Sequence, residues 1–137
     1  MSTLNYTDFR KYATSFDFEL KYELLLETID KHINTEEKLI FYPRNMFLED
    51  NELEIYFFDK EKIFIITEDS VGVEIDVLKT SSVDRVKLTS KDRHSPLNLT
   101  ITLKNGEERN FNSSTDTVEG RMQTFNRKIE EIFNLLQ

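Results

Sequence analysis

From residue 38 onward this chain reads as a succession of short strand-like segments, several of them alternating apolar and polar residues, and near Asp116 the spacing returns to that of a helix. That change of period is the strongest constraint on the fold. A repeat of two sends alternate side chains to opposite faces of a strand, whereas a repeat of about 3.6 gathers them on one face of a helix. The chain therefore reads as a helical N-terminal third, a long succession of short strands, and one terminal helix.

In the first third, Leu20, Leu24, Ile29 and Ile33, with Leu25 and Leu26 between them, form an apolar stripe opposite Glu19, Lys21, Glu23, Glu27, Asp30 and Lys31. Ser15 or Asp17 suits the N-cap, the helix is expected to end near Asn34, and residues 6–14 are expected to form a preceding turn or short helix. Lys38–Tyr42 and Asn45–Leu48 flank Pro43, which predicts an edge strand broken or bulged at the proline. Leu53–Phe58 and Ile63–Thr67 are rich in β-branched and aromatic residues and are joined by the turn Asp59-Lys60-Glu61. Val71, Val73, Ile75 and Val77 alternate with Gly72, Glu74 and Asp76, as in a strand with one wet face. Val86 and Leu88 are out of phase with Val83, which a bulge near Asp84-Arg85 resolves.

Leu97, Leu99, Ile101 and Leu103 alternate with polar residues up to Asn105-Gly106, a strong hairpin signal. A two-residue turn would place Phe111 opposite Thr100. A three-residue loop with a bulge returns Phe111 to the face of Leu99 and Ile101, and that register is the expected one. Asp116 and Glu119 form a capping-box pattern, after which Val118, Met122, Phe125, Ile129, Ile132, Phe133 and Leu136 make one apolar stripe. Gly120 falls inside the first turns of that helix.

The order of these segments resembles a pleckstrin-homology-like domain of the bacterial PH-like and GRAM type. The stretches that carry the resemblance are LEIYFFDKEKIFII and LTITLKNGEERNF, followed by the helix TVEGRMQTFNRKIEEIF. It covers residues 36–137 and implies an α+β fold: a bent antiparallel β-barrel of about seven strands, capped by the C-terminal helix. Residues 1–35 fall outside it, as an N-terminal helical extension packed on the domain. The resemblance also implies binding of lipid head groups or peptides, without catalysis. Lipid-binding members carry Lys and Arg on and around the loop between the first two strands. Here that loop is Glu49-Asp50-Asn51-Glu52, which is acidic, so no lipid-site residue carries over.

Composition narrows the chemistry. A chain of 137 residues with eleven Phe and five Tyr can bury one core. It has no Cys, which excludes disulfides, thiolate metal sites and Cys nucleophiles. His32 and His94 are far apart in sequence and make a poor metal site. Adjacent acids such as Glu36-Glu37, Glu49-Asp50 and Glu107-Glu108 read as solvated pairs, and no Walker, dinucleotide, zinc-protease or serine-hydrolase motif is present. We therefore assign no catalytic, cofactor or metal residue and expect no enzyme. The first fifteen residues lack the apolar core of a signal peptide and no run is long enough to span a bilayer. The chain is expected to be cytoplasmic, so the sequons at Asn5, Asn98 and Asn112 carry no glycosylation meaning.

The net charge of −8 is unevenly placed. Residues 16–61 hold thirteen acidic and five basic side chains, whereas residues 79–94 hold five basic ones against two acids. Lys79, Arg85, Lys87, Lys91 and Arg93 form a candidate surface for an acidic partner, an unknown protein or peptide or a second copy of the chain. One short basic segment on an acidic protein makes nucleic acid an unlikely ligand. The expected function is a non-catalytic protein- or peptide-binding module, with weak membrane lipid binding and a homo-oligomeric structural role as alternatives.

Overall fold

The computed structural model describes residues 5–14, 22–36, 38–45, 52–117 and 119–137. Helices α1 (Tyr6–Ala13) and α2 (Glu23–His32) precede seven strands. These are β1 (Ile40–Arg44), β2 (Glu54–Phe58), β3 (Lys62–Glu68), β4 (Val73–Lys79), β5 (Val83–Ser90), β6 (Leu97–Leu103) and β7 (Glu108–Asn112). A 3-10 turn at Glu119–Arg121 leads into α3 (Met122–Leu136). The strands form two antiparallel sheets, β1-β2-β3-β4 and β5-β6-β7. They do not close into a barrel, which corrects the expected architecture. The 3-10 turn Thr80–Ser82 carries the chain from one sheet to the other, and α3 packs against β1, β5 and β6.

The first sheet is the middle layer. Its register places Phe41 opposite Phe57 and then Phe64 on one face, and Tyr42 opposite Tyr56 and then Ile65 on the other. The first face receives α1, whose Tyr6 ring lies edge-on to Phe41 and Phe57 at 5.9 and 5.6 Å, with Phe9 5.5 Å from Phe41. The second receives Phe111 and Phe125, each 5.1 Å from the ring of Tyr42. Covering on both faces explains why β2 reads as an unbroken apolar run rather than an alternation. Residues of α1, α2, both sheets and α3 belong to one buried cluster. An apolar seam between the sheets, lined by Ile63, Leu78, Ile101 and Leu103, has only ≈ 10 Å³ of open volume, so the layers are packed together.

Local chemistry accounts for several element ends. Asn5 accepts from the Asp8 N–H at 2.8 Å as the N-cap of α1. The register shifts between Val83 and Arg85, as the phase change in β5 requires. Leu99 pairs with Phe111 across a three-residue loop in which Gly106 has φ +92°, a conformation suited to glycine. The turn is held by Gly106 N–H to Leu103 O (2.9 Å) and Leu103 N–H to Glu107 O (2.8 Å).

Five expectations change. β1 is an edge strand but runs unbroken through Pro43, which pairs with Ile55; the strand ends at Arg44, before Asn45 at φ +68°. A proline whose missing N–H falls on the outer edge costs the ladder nothing. The apolar stripe of α2 is rotated, with Leu25, Leu26 and Ile29 buried and Leu24 51% exposed. Val71 is 94% exposed in the turn before β4. The capping box does not form: α3 starts at Met122, and the Asp116 carboxylate is bonded elsewhere. Gly120 lies in the 3-10 turn ahead of α3 rather than inside that helix, and an added Cβ there would meet nothing within 4 Å, so this glycine serves no close approach. Ser15, Asp17, Glu19, Leu20, Lys21, Glu37, residues 46–48 of the second predicted half-strand, the loop residues Glu49–Asn51 and Val118 lie outside the described residues.

Candidate functional site

The five basic residues are all exposed, and none forms an ion pair within 4.0 Å among the described residues. They do not form one compact group. Past the bulge, Arg85 pairs with Thr102 and Lys87 with Thr100, so both side chains share the outer face of the second sheet. That face continues as a polar ladder, in which Thr100 donates to Asn110 at 2.7 Å. Lys79 ends β4 on the far side of the 3-10 turn. Lys91 and Arg93 sit in the turn between β5 and β6. Asp92 organises that turn by accepting from the N–H groups of His94 (2.8 Å) and Ser95 (2.9 Å), and these bonds hold its carboxyl below the usual range.

Arg93 also lines a cleft of ≈ 320 Å³ between this turn and α3. From the helix come Gln123, Asn126, Arg127 and Glu130, which the turn-to-strand spacings in sequence gave no reason to join to Arg93. The buried Asn126 accepts from the Leu97 N–H at 3.2 Å, and Ser113 Oγ shares that donor at 3.1 Å. α3 is thus locked to the first residue of β6, and the cleft floor is fixed by tertiary bonds. The signal for it in the sequence was one polar residue, Asn126, adjoining the apolar stripe of α3.

A second polar cluster crosses the seam between the sheets. Asp116, 1% exposed, accepts from the Tyr42 hydroxyl (2.6 Å), Arg44 Nε (3.0 Å) and Asn112 N–H (2.8 Å). Arg44 also meets Glu54 at 3.3 Å, Tyr56 donates to Glu54 at 2.9 Å, and Arg109 reaches the Tyr56 hydroxyl at 3.5 Å. Burial, then the Asp116 charge, pushes the Tyr42 hydroxyl far up. Burial and Glu54 push that of Tyr56 up to about 12. Every carboxylate here is already bonded to a donor, so the cluster fastens the two layers together.

The family model for proteins described as "Protein of unknown function (DUF3908)" matches residues 5–127, which takes in α1, both sheets and the first part of α3. The chain belongs to the DUF3908 family. The matched residues include both N-terminal helices as well as the sheets. No curated protein matches this DUF3908 chain. Among the described residues, no group of three or more His, Asp or Glu is placed to hold a metal ion. No described helix is long and apolar enough to cross a membrane.

Proposed function

We propose that this DUF3908 protein is a non-catalytic interaction module that holds an acidic segment of a protein partner against β5 and the β5–β6 turn. The supporting observation is the pairing of Arg85 and Lys87 on one open sheet face, with Lys91 and Arg93 continuing from the end of the same strand. None of these cations is neutralised by a described carboxylate, although the chain carries a net charge of −8. A local excess of cations on an anionic protein steers acidic segments to one face and repels them elsewhere. The succession of seven strands and a terminal helix is the feature on which the pleckstrin-homology-like resemblance rests, and that resemblance implies ligand binding without chemistry.

The test is fluorescence anisotropy with a labelled Glu-rich peptide, read against salt. Binding should weaken as ionic strength rises towards about 0.15 M, where the screening length is roughly 8 Å. It should be lost in the double variant Arg85→Glu, Lys87→Glu. Equal binding by the double variant and the parent protein would refute the assignment.

A further inference from the structure

The cleft beside this surface contains a donor that the fold leaves unused. Leu97 N–H donates to Asn126 Oδ1, and since only an oxygen can accept that proton, the side-chain amide has a defined orientation. Its Nδ2 is the atom left over. Asn126 is 7% exposed, lines the cleft, and its Nδ2 hydrogen-bonds no described residue. The Nδ2 atom itself keeps solvent contact in the cleft, so a ligand that reaches it displaces water and breaks no internal bond.

The surrounding groups point to what that acceptor is. Arg127 follows Asn126 on α3, and Arg93 enters from the turn. Of the two acids in the lining, Asp92 is committed to the backbone of its own turn, which leaves Glu130 against two guanidinium groups. We propose that this cleft binds a carboxylate, with Asn126 Nδ2, Arg93 and Arg127 as its donors. Planar guanidinium and amide groups match the flat, two-oxygen geometry of a carboxylate. Phosphate concentrates its charge on one group, whereas each carboxylate group carries a single charge, so phosphate meets the stronger repulsion from Glu130. At ≈ 320 Å³ the cleft falls at the small end of ligand pockets, which run from roughly 300 to 1,000 Å³. The source is an Asp or Glu side chain of the acidic partner. The source rests on the function proposed above; the carboxylate chemistry does not.

Nitrogen-15 NMR of the full chain tests this with three probes: glutarate, inorganic phosphate and a Glu-rich peptide, each matched in ionic strength with sodium chloride. Glutarate should shift the Asn126 side-chain NH2 pair and the backbone amides of Arg93 and Leu97. Asn126→Asp keeps an oxygen for the Leu97 N–H but turns the free donor into an acceptor, and should weaken glutarate at least about tenfold. The exposed pair Arg93→Gln and Arg127→Gln should do the same if Asn126→Asp disturbs folding. Unmoved Asn126 signals, shifts reproduced by chloride, or tighter binding of phosphate than of glutarate would each overturn the assignment. Glutarate in the cleft without peptide binding would leave the carboxylate site standing and remove the partner reading. Peptide shifts on β5 with Asn126 unmoved would do the reverse.

Discussion

Arg44 Nε donates to Asp116 at 3.0 Å across 72 positions of sequence, joining the edge of the first sheet to the segment between β7 and α3. The carboxylate is 1% exposed and the guanidinium about a third exposed. Truncating Arg44 to Ala leaves a buried anion short of its cation. The expected loss is the lower end of about 3–5 kcal/mol, since Arg44 keeps part of its surface in water. Urea unfolding of Arg44→Ala, Asp116→Asn and the double variant checks it. The double variant should lose less than the sum of the single ones, because the two residues share one interaction. Additive losses would mean that the pair is not coupled.

Phe125 is fully buried, with its ring 5.1 Å from Tyr42. Phe125→Ala should cost about 3–5 kcal/mol, the usual range for emptying an aromatic core site. An unchanged melting temperature would mean that α3 is not part of the core.

The N-terminal helices cover Phe41 and Phe57 with Tyr6 and Phe9. A chain starting at Thr35 keeps all seven strands and α3 but bares those rings. We expect it to unfold cooperatively at a lower temperature than the parent and to aggregate more readily. A soluble fragment with no thermal transition would place the helices inside the minimum folding unit.

Alkaline pH should unfold the protein through its tyrosines. Burial is the leading cause that raises the hydroxyls of Tyr6, Tyr22, Tyr42 and Tyr56, reinforced by Asp30, Glu68, Asp116 and Glu54 respectively. Above the ordinary value of about 10 the unfolded chain releases these protons while the folded chain retains them. The stability they contribute is therefore complete below pH 10 and falls as pH rises through 10 towards the folded value of about 12 for Tyr56. Tyrosinate absorbance should rise together with the loss of far-ultraviolet circular dichroism. Absorbance that rises fully while the fold persists would contradict the buried environments.

Membrane lipids should bind weakly. Lys87, Lys91 and Arg93 offer on the order of 3 kcal/mol at an anionic surface, at about 1 kcal/mol each. That falls short of the 4.1 kcal/mol that corresponds to roughly 1 mM. Cosedimentation with phosphoinositide and phosphatidylserine vesicles checks it. Micromolar binding abolished by reversing these three charges would favour a lipid ligand over a protein one.

Elements set by side-chain period were legible in the sequence. The β6–β7 register followed from Phe111 needing the face of Leu99, and the β5 bulge from the mismatch of Val83 and Val86. Misreadings arose where distant contacts outweighed local preference. Asp116 looked like a helix cap, yet Tyr42 and Arg44 offer it stronger bonds than the start of α3 would. Pro43 looked like a break because nothing nearby reveals that its ring lies on the outer edge. Of the candidate site, Arg93 was legible as a local charge. Asn126 and Arg127 join it only once α3 is docked on Leu97, a relation spanning 29 positions.

The proline of β1 also limits how copies of this protein can associate. An open ribbon built by sheet-edge addition needs two receptive edges on each copy, one to give and one to take. β1 presents Pro43 without an N–H, and the Asn45 N–H just beyond it is taken by the Asp116 carbonyl at 2.7 Å, whereas β4 ends the same sheet at the other side. With one edge closed, a chain of copies joined through the first sheet stops at its first link. The residue that seemed to interrupt a strand instead withholds a donor that edge-to-edge association would use.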